Sequence, residues 1–253
     1  MHDRKRVLIL GGTGDATALA ARIAEIPKVE VITSLAGRTR QPLVTSANTR
    51  IGGFGGVAGL TDYLREQQID GLIDATHPFA AQISFHAAAA ATEVGIPRLL
   101  LMRPAWERAE GDRWIEVDGH EAAVTNLPGL AERIFLTIGR QELAVFAALK
   151  DLWFLMRMID PPGPDAVVPP GKLLLERGPF SLENERSILQ QYDIGAIVSK
   201  NSGGDATYAK IIAARELGIP VVMIQRPLIP PGDSVTEIES ALAWLKKTLT
   251  LHA

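Results

Sequence analysis

One pattern occurs twice in this chain and limits what it can fold into. Ala91, Glu93, Gly95, Ile96, Pro97, Arg103 and Pro104 spell A-x-E-x-G-I-P-x-x-x-x-x-R-P, and the same letters return at Ala214, Glu216, Gly218, Ile219, Pro220, Arg226 and Pro227. Each copy reads as a last helical turn, a glycine closing it in a left-handed cap, a proline at an edge or first strand position, and an apolar strand at residues 99–102 or 221–224. The strands that precede the two helices also correspond, Gly71-Leu72-Ile73-Asp74 against Gly195-Ala196-Ile197-Val198. Two similar α/β halves follow, and function is sought where they differ. They differ between strand and helix: Asp74-Ala75-Thr76-His77-Pro78-Phe79 in one half, Ser199-Lys200-Asn201-Ser202-Gly203-Gly204 in the other.

A chain of 253 residues can bury one large core or two smaller ones, and the repeat favours two, at residues 1–104 and 105–253. The absence of cysteine removes disulfides, thiolate metal sites and cysteine nucleophiles together. The charged start is followed by an apolar run, residues 7–10, that ends at Gly11-Gly12, too short for the core of a secretion signal. No span approaches the roughly 20 apolar residues of a membrane helix, so a cytoplasmic chain without membrane contact is expected. A net charge of −3 with no basic run gives no reason to expect nucleic acid.

Strand and helix patterns alternate. In the first half, strands are expected at 6–10, 29–33, 71–74 and 98–102, and helices at 16–25, 60–67 and 78–93. In the second, strands at 134–137 and 153–158 flank a helix at 141–149, and a Pro-rich excursion at 161–171 precedes the repeated unit. The strands are continuous apolar runs, the pattern of parallel strands buried on both faces. A boundary falls in 103–124, where Pro104, Gly111, Asp112 and Gly119 accumulate. The fold class is therefore α/β: two doubly wound, Rossmann-like domains with parallel sheets, and a ligand cleft between them beyond the strands' carboxyl ends.

The first strand runs straight into Gly11-Gly12-Thr13-Gly14-Asp15-Ala16 and then a helix. Glycines there let the backbone approach a pyrophosphate, whose charge rests on the helix N-terminus. Gly12 and Gly14 match the first two positions of G-x-G-x-x-G, but Thr17 stands at the third, so tight packing alone also explains the turn. An NAD site usually carries an acid after the second strand, about 20 residues beyond the glycines. Here Ser34 to Arg38 read S-L-A-G-R, and a hydroxyl with a guanidinium suits an extra phosphate on the ribose. NADPH is the expected cofactor, unless Arg38 is simply a loop residue. Gly52-Gly53-Phe54-Gly55-Gly56 is either a flap over a flat ligand or a flexible connection.

In the first divergent loop, Thr76 and Pro78 fit a helix start, which leaves His77 and Asp74 as candidate catalytic groups at the sheet mouth, against the alternative that a lone histidine is structural. In the second, Lys200, Asn201, Ser202, Gly203 and Gly204 meet a helix N-terminus and read as an anion site. Arg140 occupies the place in the second half that the glycine turn occupies in the first. Arg157, Arg177 and Lys200 also fall near predicted loop or strand ends of the second half.

Taken together, L-G-G-T-G-D-A, S-L-A-G-R, G-G-F-G-G, D-A-T-H-P-F-A, L-T-I-G-R-Q and K-N-S-G-G resemble the precorrin-6A reductases of cobalamin biosynthesis, from about Val7 to Pro227. The resemblance implies two Rossmann-like domains and NADPH-dependent hydride delivery to one carbon of an unsaturated tetrapyrrole. It also implies transfer contacts with neighbouring enzymes of the pathway. The cofactor-binding candidates are Gly11, Gly12, Thr13, Gly14, Asp15, Ala16, Ser34, Arg38 and Thr76. The substrate-binding candidates are His77, Arg140, Lys200, Asn201, Ser202, Gly203 and Gly204. No protein-held metal is expected, and the proton donor is unassigned. Two other classes compete: a short-chain-type carbonyl reductase, against which Tyr63 is followed by Gln67 rather than by lysine four residues on, and a non-catalytic NADPH sensor. The choice between a metal-free and a cobalt-bound ring stays open.

Overall fold

The computed structural model describes residues 4–37 and 48–250. The chain runs β1 (Lys5–Leu10), α1 (Gly14–Ala24), β2 (Val29–Leu35), β3 (Thr49–Ile51), α2 (Gly56–Glu66), β4 (Gly71–Asp74), α3 (Ala81–Val94) and β5 (Arg98–Leu101). It continues with β6 (Trp114–Val117), α4 (His120–Asn126), β7 (Arg133–Leu136), α5 (Leu143–Phe146), β8 (Trp153–Met158), β9 (Gly171–Leu175) and α6 (Leu182–Gln191). β10 (Ala196–Lys200), α7 (Ala209–Glu216), β11 (Val221–Ile224), β12 (Asp233–Val235) and α8 (Ile238–Thr248) complete it.

The strands form two six-stranded sheets, ordered β12-β5-β4-β1-β2-β3 and β6-β11-β10-β7-β8-β9. Every ladder among the described residues is parallel. The two orders are the same once β7 is matched to β1, β8 to β2, β9 to β3, β10 to β4 and β11 to β5. Strand order reverses beside β1 in one sheet and beside β7 in the other, the doubly wound arrangement. β1 shows why both faces are buried. Val7 and Ile9 join the core under α1 and α8, while Leu8 and Leu10 join the core under α2 and α3.

The sixth strands are exchanged. β6 follows β5 along the chain yet pairs with β11, and β12 follows β11 yet pairs with β5. The contacts accordingly divide the chain into Met1–Pro104 with Pro227–Ala253, and Ala105–Arg226. The expected second domain, 105–253, thus differs from the observed unit, which stops at Arg226. The reason is apolar patterning: Ala241, Leu242 and Leu245 of α8 pack with Leu19 and Ile23 of α1 over Val7 and Ile9. An Arg22–Glu239 ion pair of 2.7 Å joins the two helices.

The repeat is explained almost residue by residue. Gly95 and Gly218 take positive φ, 78° and 66°, and the next amides, Ile96 and Ile219, donate back to Ala91 O and Ala214 O at 3.1 and 2.8 Å. Glu93 pairs with Arg65 of α2 at 3.1 Å and Glu216 with Arg186 of α6. Pro97 and Pro220 precede β5 and β11, where a missing donor costs nothing, and their carbonyls accept from Leu72 and Ile197. The helix expected at 78–93 begins later, at Ala81, because Pro78 sits in a turn closed by Ala80 N to His77 O at 2.7 Å. The helix expected at 141–149 shrinks to α5.

Candidate active site

In the first unit the loops after β1 and β4 meet where strand order reverses. Gly11 N donates to Ser34 O at 2.9 Å, and Gly12 turns the chain with φ of 110°. Thr13 caps α1: its hydroxyl accepts from Ala16 N at 3.1 Å and donates to Ala75 O at 2.8 Å, stitching the two loops together. The N–H groups of Gly14 and Asp15 open the helix and have no acceptor within it. A Cβ added to Gly12 or Gly14 would meet nothing within 4 Å, so a cradle stands over the positive helix end. That cradle fits a dinucleotide pyrophosphate. Asp15 opposes an anion there, but Arg103 faces its carboxylate at 2.9 Å and offsets the charge. Ala16 is buried in the core beneath.

Ser34 is buried, and its hydroxyl accepts from Arg50 at 3.1 Å. Arg50 lies opposite Ser34 in the β2–β3 register, donates to Gly52 O and Gly53 O at 2.7 and 2.8 Å, and stacks 3.8 Å from the Phe54 ring centre. The Gly52–Gly56 segment is therefore pinned at two carbonyls rather than left as an unrestrained connection. Arg38 lies outside the described residues. Sequence reasoning passed over Arg50, whose signal was its place two residues before the glycines.

Asp74 ends β4, at the strand's carboxyl end as expected, but it does not face open solvent. It is wholly buried, its Oδ1 accepts from Thr76 N and Thr76 Oγ1 at 3.1 and 2.7 Å in the turn that follows the strand, and its Oδ2 is buried without a hydrogen-bond partner among the described residues. Asp74 thus orders the loop, and Thr76 spends its hydroxyl proton on Asp74. His77 is half-buried, and its Nδ1 accepts from Phe79 N at 3.2 Å. In the neutral ring the proton then sits on Nε2.

In the second unit the equivalent loops follow β7 and β10. Arg140 comes after β7, with a donor 3.4 Å from Pro161 O, and Lys200 ends β10 with Nζ 3.9 Å from Glu142 Oε1. His120, the first residue of α4, joins this group and was missed in the sequence. Burial pushes its imidazole pKa down, the Glu142 carboxylate pulls it up and the Lys200 charge pushes it down. A lone histidine after an irregular glycine turn gave no signal.

Asn201 is 3% exposed and has no side-chain group left for a ligand. Its amide donates to Trp106 O at 3.0 Å and accepts from Trp106 N at 2.8 Å, in the manner of a neighbouring strand. Gly203 and Gly204 take φ of 67° and 72°, and Gly204 O accepts from Trp106 Nε1 at 2.8 Å. Ser202 N donates to Lys200 O at 2.7 Å. Arg157, near the end of β8 as expected, is buried, pairs with Glu185 at 2.6 Å and Glu176 at 3.8 Å, and lies against Phe180 and Phe135. Arg177 lines a groove of about 420 Å³ with Glu176, Pro179, Phe180, Ser181 and Asn184.

The sequence pattern of the family described as Precorrin-6x reductase CbiJ/CobK matches residues 6–246. This chain belongs to that family. Its similarity to a precorrin-6A reductase of Rhodococcus erythropolis is 50% identity over 95% of this chain and 97% of the other. A solved structure, CobK precorrin-6A reductase, superposes with a TM-score of 0.90 at 42% identity, over 96% of this chain and 97% of that one. A cobalt-precorrin-6A reductase of Priestia megaterium is 30% identical over 93% of this chain and 96% of its own length. Membership in a reductase family favours neither the carbonyl reductase nor the sensor. Among the described residues no helix is long and apolar enough to cross a membrane.

Proposed function

We propose that this chain reduces precorrin-6A with NADPH in cobalamin biosynthesis, the first unit holding the nucleotide and the second the tetrapyrrole. The observation that carries the reading is that both switch points bear ligand chemistry: a glycine cradle on a helix N-terminus in one sheet, Arg140 and Lys200 in the other. The greater identity to a relative named for precorrin-6A than to one named for cobalt-precorrin-6A, 50% against 30%, supports precorrin-6A rather than its cobalt form. NADPH, when bound, supplies the hydride. The chain's part is to bind and orient: Gly12, Thr13 and Gly14 receive the pyrophosphate, Ser34 and Arg38 the ribose phosphate, and Arg140 and Lys200 the ring carboxylates. His77, on the loop after β4 that Thr13 ties to the nucleotide loop, is a better proton-donor candidate than the enclosed Asp74.

The reading is tested by following NADPH oxidation with precorrin-6A and with cobalt-precorrin-6A. Faster turnover of the metal-free ring is expected, and equal inertness toward both sinks the proposal. Arg38→Ala is expected to weaken NADPH far more than NADH, by about 1.5–3 kcal/mol for a lost charged contact. Equal losses for both nucleotides remove the ribose-phosphate assignment. Lys200→Ala is expected to raise the precorrin-6A KM roughly tenfold with NADPH affinity unchanged. Since 15% of the Lys200 side chain is exposed, this loss should depend weakly on salt. A Lys200→Ala variant that loses NADPH instead reverses the roles of the two units.

A further inference from the structure

The alanine, glutamate, glycine and proline of the repeat all have structural duties, which leaves its arginine. Arg103 and Arg226 stand at corresponding positions, just after β5 and β11, and at the points where the chain passes from one unit to the other. Each bonds to a loop of its own unit that carries candidate ligand chemistry. Arg103 faces Asp15 in the first turn of α1, beside the glycine cradle. Arg226 straddles the loop after β10: its Nε donates to Asn201 O at 2.9 Å and its second nitrogen to Ser202 O at 3.0 Å.

Trp106 completes the clamp from the chain's entry into the same unit. Its backbone is paired in both directions with the Asn201 side chain, and its indole holds Gly204 O. Tyr208 packs 5.6 Å from the indole and Lys210 lies 4.8 Å from it, so the ring has little room to move. The carbonyls of Asn201, Ser202 and Gly204 are therefore all fixed by side chains from outside the loop. Fixing carbonyls fixes peptide planes, and hence where the loop's amides point. It also fixes the residue before the loop, since Asn201 N is bonded to Ile224 O and Ser202 N to Lys200 O. An arginine fork across two successive carbonyls does this in a way that one lysine ammonium cannot.

We propose that Arg226, with Trp106, is a positioning residue for substrate: it holds the 200–204 loop in the shape that presents Lys200 to the tetrapyrrole. The inference rests on the reading that this loop belongs to the tetrapyrrole side.

The test compares Arg226→Lys, Arg226→Ala and Trp106→Phe with Lys200→Ala, reading precorrin-6A KM, NADPH Kd and amide hydrogen exchange at 201–208. Arg226→Ala should raise the precorrin-6A KM about tenfold and Arg226→Lys by less, from the loss of two or one charge-assisted bonds. Trp106→Phe, which removes one indole donor and keeps a ring over Lys210, should raise it about threefold. In all three the loop amides should exchange faster while NADPH Kd stays within twofold of the parent's. If Lys200→Ala raises KM and none of the three does, the positioning role is overturned and the tetrapyrrole reading stands. Proportionate loss of both ligands with a lowered Tm also overturns it, since that marks general structural damage. A Lys200→Ala variant with parental KM overturns the reading of the loop and this inference together.

Discussion

Gly14→Leu should weaken NADPH binding by about 100-fold, ~2.8 kcal/mol, while leaving the protein at least as stable as its parent. Gly14 is the first residue of α1 and lacks the positive φ that would make a side chain costly. The space its Cβ would enter is open to 4 Å, so nothing in the fold resists the substitution. Leucine is also the better helix former, by roughly 0.5–1 kcal/mol. The cradle over the helix end is then filled by an isobutyl group where a pyrophosphate has to approach the backbone. Affinity and stability thus move in opposite directions, which separates ligand blockage from misfolding. Gly12→Val is a poorer test, because φ of 110° strains any side chain there and mixes the two effects. Nucleotide titration and a thermal melt of the same sample decide the matter. Unchanged NADPH affinity in a folded Gly14→Leu protein would make the turn a packing device, the alternative its sequence left open.

How much of this was legible from the sequence depends on where the stabilising partner of each residue lay. The buried strands β1, β4, β8 and β10 are dense apolar runs, and the repeat carries its own caps, so local chemistry identified them. β12 and β6 are short, and which sheet each joins depends on a partner strand far along the chain, which no local pattern encodes. That is why the second domain was extended to residue 253 when its last helix, α8, covers the first sheet. The turn at Gly12, Thr13 and Gly14 was readable because a tight turn before a helix constrains residue type directly. The backbone bonds of Asn201 and the turn bonds of Asp74 were not legible, because a polar residue bound to backbone and one open to a ligand look alike in sequence. Arg50 and His120 went unseen because their importance comes from neighbours supplied by other elements. The pairing of Arg157 was hidden for a related reason: a guanidinium at a strand end says nothing about the carboxylate waiting on α6.

That carboxylate, Glu185, is expected to be one of the most costly residues to lose. Arg157 and Glu185 form a buried pair at 2.6 Å, with Lys210 fully buried beside them on α7. Replacing Glu185 with glutamine keeps the volume but removes the nearer counter-ion of the buried Arg157 charge and leaves Glu176, 3.8 Å away and partly exposed, at a cost of about 3 kcal/mol, the low end for a broken buried pair. Urea unfolding at neutral pH should register that loss, and a change below 1 kcal/mol would show that water reaches the pair. Lys210 adds a pH signature with a definite sign. Burial first, and then the Arg157 charge, lower its pKa to about 7 from an ordinary 10.5, against the opposing pull of Glu185. Between these values the unfolded chain binds a proton that the folded one does not, so stability should rise with pH across the window, at up to ~1.4 kcal/mol per unit. Below pH 7 both states hold the proton and the folded protein bears the full cost of burying the charge. Lys210→Met removes the titrating group, so its advantage over the parent should be greatest at or below pH 7 and fade toward pH 10. Parallel stability curves for parent and Lys210→Met would mean that the ammonium titrates normally, with solvent reaching it past Trp106. Glu185→Gln should deepen the effect, since the carboxylate that holds the Lys210 proton in place is gone.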